Sequence, residues 1–383
     1  MTTQSTAALR LLGGTALTLM MTGAMAAAQE LPLEPLPDDD ERNFWWYYQV
    51  QTEEVLENMQ EVVAGPAEEV TDAPDDPVSI AVIYPSQDVS DFWLRSYLAM
   101  EGRLEEMGLP FEAVQFASGM DDHNRQATYT DQVLNDDFEY VIFGPTELSL
   151  QQDNVKRLID AGRKVIVLNY DSVVQQWGDD QPMMYATFSH RAGALNMCNW
   201  IVEEHATEGD VALIRGTPGS IDDQRSGAFA DCLTEKSDWE VAYEHYGDFL
   251  REGGFDGAQQ TISAYPEVDL IHNANTAMAM GSISAVQSLG AEDEVDVTAW
   301  GGTGDELEAL REGELLATPM RMSDDVGVAM AEAIRADVEG RQDDIPQVFL
   351  GRISIVTSDS GAEMVNEMEQ EAFRYTGIGT LER

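Results

Sequence analysis

The chain has 383 residues, enough for two domains of ordinary size, and its 43% hydrophobic content is that of a globular protein. Its formal charge is −50, from 71 acidic against 21 basic residues, and only Lys156, Lys164 and Lys236 are lysines. Such a field argues against nucleic acid and anionic membranes as partners, and it suits solution in high salt, where surface repulsion is screened.

Residues 1–28 read as an export signal. Arg10 is the only charge before Glu30, and Leu11 to Thr22 is an apolar run too short for a membrane span. Ala24-Met25-Ala26 and Ala26-Ala27-Ala28 are small-x-small cleavage patterns, which puts the mature start near Ala27 or Gln29. No later stretch has the roughly 18 consecutive apolar residues of a membrane helix. A periplasmic protein without direct membrane insertion is expected. Residues 29–77 form an acidic and aromatic lead. Within it Phe44-Trp45-Trp46-Tyr47-Tyr48 is followed by a helix pattern through Val55, Leu56, Met59, Val62 and Val63. Exposed aromatic area of that size is an association hazard, so the lead is expected to fold back onto the body.

From Val78 onward strands alternate with helices. Ser79–Tyr84 is a β-branched run of the kind buried on both faces of a sheet. Strands follow at Phe111–Phe116, Tyr140–Phe143 and Lys164–Leu168, separated by helices at Asp91–Met107, Asn124–Leu134 and Leu150–Ala161. The rhythm restarts with a helix at Ala192–Glu204. Strands then fall at Val211–Arg215, Trp239–Tyr246, Leu270–Asn273 and Val295–Trp300. In Val297–Val326 a strand runs into Trp300 and a Gly-Gly turn, and Leu316–Met322 is the next strand, ending at Arg321. Asp325–Val338 is a helix and Val348–Val356 one last strand.

The pattern predicts an α/β protein of two similar doubly wound parallel-sheet domains joined by a hinge. The first lobe is assigned 78–185 plus 322–350, and the second 186–321 plus 351–383. A cleft between two such lobes favours a bound small molecule and hinge closure over it. Ligands of open α/β sheets sit beyond the carboxyl ends of the strands, so Trp300 and Arg321 are placed to share one pocket. Cys198 and Cys232 lie on predicted helices flanking Val211–Arg215. A disulfide is permitted in an exported chain, and two buried thiols fit equally. The five histidines show no metal-ligand spacing, and no nucleophile elbow, Walker loop or full dinucleotide fingerprint occurs, so no enzyme, metal or cofactor is expected.

Several segments carry a resemblance: YPSQDVSDFWLRS (84–96), GSIDDQRSGAF (219–229), AWGGTGDELEALREGEL (299–315), MRMSDDVGVAMAEAI (320–334) and FRYTG (373–377). On these the chain resembles the type I, ribose-binding-like periplasmic binding proteins, and more narrowly the autoinducer-2 receptors of the LuxP type. The resemblance implies a ligand site at Asp88, Ser90, Trp93, Asn169, Arg225, Thr276, Trp300 and Arg321. It implies a furanosyl borate diester as ligand, with borate part of the ligand and not a cofactor, and a membrane sensor histidine kinase as partner. Three positions depart from the pattern. Asp88 stands for a glutamine, Gly144 for a threonine and Ala277 for an aspartate, with Asn273 or Asn275 as candidate substitutes for the last.

Elementary chemistry agrees in outline. Two arginines on one cleft make an anion site, because guanidinium is a fixed fork-shaped donor. Tryptophans wall a small ring, and Ser90, Asn169 and Thr276 can bond hydroxyls. Read alone, Arg225 is a surface ion pair with Asp222 or Asp223; its place in a matched segment favours the cleft. Two functions follow. One is a signal receptor whose closure changes the surface shown to the sensor, an equilibrium that the ligand shifts only by differential affinity. The other is a sugar- or polyol-binding protein of an ABC transporter.

Overall fold

The computed structural model describes residues 44–86 and 90–379. The expected signal peptide and Asp88 lie outside the described residues. Two six-stranded sheets form two lobes. The first sheet runs, in spatial order, Val348–Gly351, Met184–Phe188, Lys164–Leu168, Tyr140–Phe143, Val78–Pro85 and Phe111–Ser118, all parallel. The second runs Ile353–Thr357, Ala317–Arg321, Asp296–Thr298, Leu270–Asn273, Glu208–Arg215 and Asp238–Tyr246. It is parallel except for its antiparallel edge strand Ile353–Thr357. The central strands are continuous apolar runs because helices cover both faces, so neither pleat face meets water.

The described chain passes between the two six-stranded sheets three times: from Phe188 into the helix His190–Trp200, from Arg321 into the helix Asp324–Val338, and between Gly351 and Ile353. The single last strand expected at Val348–Val356 is therefore two strands in two different sheets. Arg352 turns the chain between them. Its backbone carbonyl accepts from Met322 N–H at 2.9 Å, and its guanidinium lies 3.0 Å from Asp325. At Gly351 a Cβ would come within 2.5 Å of the Phe188 ring, so the first and third crossings touch where only glycine fits.

The expected helix Ala192–Glu204 is an α-helix to Trp200 followed by a π turn at Ile201–His205. The structure joins Cys198 to Cys232 in a disulfide, tying the helices His190–Trp200 and Ala228–Lys236.

From residue 44 onward the aromatic lead is packed down. Phe44–Trp45 pairs antiparallel with Val173–Val174, and Trp46 is buried among Met197, Cys198 and Ile201 of the second lobe. Five residues later, the Gln51 side chain bonds both the N–H and the carbonyl of Val348 in the first sheet, at 2.7 and 2.8 Å. The helix Glu53–Ala64 then lies on the first lobe, burying Leu56, Met59 and Val63. At the other end, Arg95 and Asp324 of the first lobe bond the backbone and side chains of 375–377.

A crosslink over 34 residues of separation removes loop entropy from the unfolded chain. Replacing both cysteines by serine is expected to lower unfolding free energy by about 3–4 kcal/mol with the fold retained. Guanidinium unfolding under non-reducing conditions checks this. An unchanged midpoint means that the bridge contributes no stability.

Candidate functional site

The site is assembled from strand ends of both sheets. Ser90 and the helix Phe92–Glu106 follow the strand Val78–Pro85, and the Phe92 N–H donates to Ser90 Oγ at 3.3 Å. Trp93 is buried with its ring over Gly144, where a Cβ would meet the indole at 2.7 Å. Glycine at 144 therefore accommodates this pose of Trp93, and a threonine would displace it.

Asn169 follows the strand Lys164–Leu168 in the left-handed region, at φ 72°. Its N–H donates to the Ala186 carbonyl at 2.9 Å, and its own carbonyl accepts from His190 Nε2 at 2.9 Å. These two bonds hold a non-glycine residue where it is ordinarily disfavoured. Its buried side-chain oxygen has no partner among the described residues.

The second lobe supplies the cations. Arg225, in a π turn before the helix Ala228–Lys236, is buried. It donates to the Ala274 carbonyl at 2.8 Å and to His190 Nδ1 at 3.3 Å, and its guanidinium lies 3.9 Å from the centre of the Trp300 ring. The surface-pair reading fails for a visible reason: Asp222 and Asp223 both face Arg215 instead, at 2.8 and 3.6 Å. Among the described residues Arg225 makes no ion pair. Arg321 ends the strand Ala317–Arg321, donates to the Gly301 carbonyl at 3.1 Å and lies 4.2 Å from the Phe92 ring centre. Thr276 opens the helix Thr276–Leu289, whose first turn is capped by Asn275.

Ser90, Trp93, Asn169, Arg225, Thr276, Trp300 and Arg321 all line one cavity of about 410 Å³, mouth included. Phe92, Met120, Ile221, Phe249 and Asn275 complete its wall. Of the two candidate substitutes for the missing aspartate, Asn275 lines the cavity, whereas Asn273 is spent on Thr298 and Ser282. The lobes also touch at the rim: Gln224 donates to Asp171 at 2.8 Å, and the Ser172 and Ser220 hydroxyls are 2.8 Å apart.

Electrostatics follow from burial. Desolvation, and then the nearby Arg321, push the Arg225 guanidinium well below its usual range, while Glu306 works against the fall. Arg321 is lowered to about 10 by burial, opposed by Glu306 and Asp91. His190 is held neutral by burial and by Arg225, which leaves Nδ1 free to accept from that arginine.

Two residues at the site were not assigned to it from sequence. His190 lies just past the first crossing and reads there as a structural histidine. Glu306 follows Thr303 at capping-box spacing, so the pattern reads as a helix start. The cap is present, with the Glu306 N–H on Thr303 Oγ1 at 3.4 Å, but the carboxylate turns to Gly302 and Thr318 instead.

A model of the family described as "Periplasmic binding protein domain" matches residues 80–342. The chain belongs to this family. Its relatives include the ribose import binding protein of Salmonella typhimurium, 32% identical over 95 residues, which are 25% of this chain and 32% of that protein. The ribose import binding protein of Escherichia coli is 23% identical over 202 residues, 53% of this chain and 66% of that one. The D-allose-binding periplasmic protein of the same organism is 23% identical over 245 residues, 62% and 77% of the two chains. The ribose-protein matches thus span from about a third to about two thirds of those relatives. Among solved structures, a galactofuranose binding protein superposes with a TM-score of 0.67 at 16% identity, covering 77% of this chain and all of that one. A Bacillus halodurans ABC transporter solute binding protein with bound myo-inositol gives 0.65 at 21% identity, covering 78% and 99%. The periplasmic binding protein fold of two parallel-sheet lobes is thereby shown.

Burial lowers the pKa values of His190 and His272, and each is expected to make the fold sensitive to acid. A histidine whose folded-state pKa is depressed takes up a proton only on unfolding. Its contribution is complete above about pH 6.5 and is lost as pH falls below that, at about 1.4 kcal/mol per pH unit, until the folded-state value is reached. His272, stacked on Phe229 with Nδ1 3.0 Å from Thr298 Oγ1, is lowered by burial to about 3. Asp324, raised to about 6 by burial, acts in the opposite sense and cancels when variants are compared. In urea unfolding at pH 6.5 and 4.5, His272→Asn is expected to lose about 2–3 kcal/mol less than wild type across the interval. Equal losses place the proton on His272 inside the fold.

Proposed function

We propose that this is an exported periplasmic solute-binding protein that closes over a small, hydroxyl-bearing anion and presents it to a membrane transporter of the ABC type. The observation that carries the reading is the buried guanidinium of Arg225, stacked on Trp300 without an ionic partner among the described residues, beside a second buried guanidinium at Arg321. Burying a cation without a counter-charge costs several kcal/mol, and a bound anion removes that cost. The remaining wall suits a ring. Trp93, Phe92 and Trp300 give apolar faces, and Ser90, Asn169 and Thr276 bond hydroxyls. Relatives described as ribose import and allose-binding proteins, and neighbours described as ABC transporter proteins, support the sugar-like ligand and the transporter partner. Family membership supports the periplasm.

A second reading is favoured by the same arginine pair. Seven of the eight residues implied by the resemblance to autoinducer-2 receptors are among the twelve that line the cavity, and a furanosyl borate diester carries one negative charge. In that reading the closed lobes act on a membrane sensor histidine kinase. Calorimetric titration of protein freed of ligand by unfolding and refolding separates the two. Binding of the autoinducer-2 precursor only with borate present selects the receptor. Binding of a sugar acid or sugar alone selects the transporter protein.

Arg225→Ala and Arg321→Ala are each expected to weaken binding at least tenfold while the circular dichroism spectrum stays that of wild type. Trp300→Ala is expected to lose affinity, and ligand binding to change tryptophan fluorescence. Two arginine variants that bind like wild type remove the cavity from the ligand's path.

A further inference from the structure

Glu306 is a fully buried carboxylate that the ligand reading above does not use. Its Oε2 accepts from the Gly302 N–H at 2.6 Å and from the Thr318 hydroxyl at 2.6 Å. The Thr318 oxygen also accepts from Gly302 N–H, at 3.2 Å, so its one proton goes to Glu306. These two donors favour the ionised form, while burial, the largest influence, pushes the carboxyl group's pKa up. Oε1 has no well-formed partner, although the Thr276 hydroxyl beside it eases the burial. Around Gly301, a Cβ would stand 3.0 Å from Arg321 Nη2, 3.2 Å from Glu306 Oε1 and 3.3 Å from Thr276 Oγ1. Cation, carboxylate and hydroxyl thus converge behind one glycine at φ 153°, and Arg321 and Thr276 both reach the cavity.

We propose that Glu306 is a specificity-determining residue that limits the cleft to singly charged ligands. The proposal rests on reading the cleft as an anion site. An ionised Glu306 offsets one of the two buried guanidinium charges and leaves the other, since His190 is neutral, Asp91 is paired with Arg95 at 2.8 Å and Asp171 lies at the rim on Gln224. A monoanion balances that charge in a buried site. A dianion leaves an excess negative charge that water cannot screen.

The test is Glu306→Gln, read in two ways. The first needs no knowledge of the natural ligand: thermal unfolding in sodium chloride and in sodium sulfate at equal ionic strength. The Gln variant is expected to melt lower than wild type in chloride, and to be raised by sulfate by several degrees more than wild type is. A Gln variant with wild-type melting and the same sulfate response overturns the proposal. The second uses D-ribose, D-ribonate and D-ribose 5-phosphate, which carry increasing negative charge on one sugar skeleton. Wild type is expected to prefer ribonate over the phosphate at least tenfold, and the Gln variant to reverse that order. Wild type binding the phosphate best overturns the proposal without any variant, which covers a Gln protein that does not fold. If no probe binds wild type, the sugar-anion reading of the cleft fails, while the sulfate comparison still judges Glu306.

Discussion

Arg225 gives up its hydration and, among the described residues, receives no carboxylate in return. What it has instead is the Ala274 carbonyl, the Nδ1 of a neutral histidine and the face of Trp300. Each comes from a different element. Ala274 follows the strand Leu270–Asn273, His190 opens the helix after the first crossing, and Trp300 follows the strand Asp296–Thr298. The same histidine donates to the Asn169 carbonyl, so the left-handed turn of the first lobe and the cation of the second share one ring. Disturbing any member releases the others. This coupling explains why His190 must stay neutral: a protonated ring has no acceptor to offer the guanidinium and repels it.

Much of the architecture was legible because the central strands are covered on both sides and read as unbroken apolar runs. The same feature hid the third crossing. VFLGRISIV has no turn residue strong enough to break a strand on paper, and the break at Arg352 is imposed by Asp325 and by the contact of Gly351 with Phe188. The π turn after Trp200 was hidden for a similar reason, since the apolar spacing continues through it. Strand-end positions gave Trp300 and Arg321 a common cleft in advance. The partners of those residues were not legible. A histidine's role depends on what its two nitrogens face, and a glutamate at capping-box spacing shows the cap before it shows the cleft.

The family and the ligand are separate questions here. The matched family and its sugar-binding relatives establish two lobes and a cleft. They leave the charge of the cleft to this chain's own residues. A protein with 71 acidic residues nevertheless keeps two guanidiniums buried in its cleft. High ionic strength weakens the outer field far more than the inner one, because the cleft is shielded from mobile ions. The anion proposed for the cleft meets a surface that repels it and a pocket that attracts it, and salt lowers the first barrier while sparing the second.

The aromatic lead has a mechanical consequence. Trp46 sits in the core of the second lobe and Gln51 is fastened to the first, with one turn of helix, Tyr47–Val50, between them. So short a segment tolerates little stretching. It ties the lobes at a further place beside the three crossings. A hinge motion of the lobes must therefore carry this segment along or unseat Trp46 from its core.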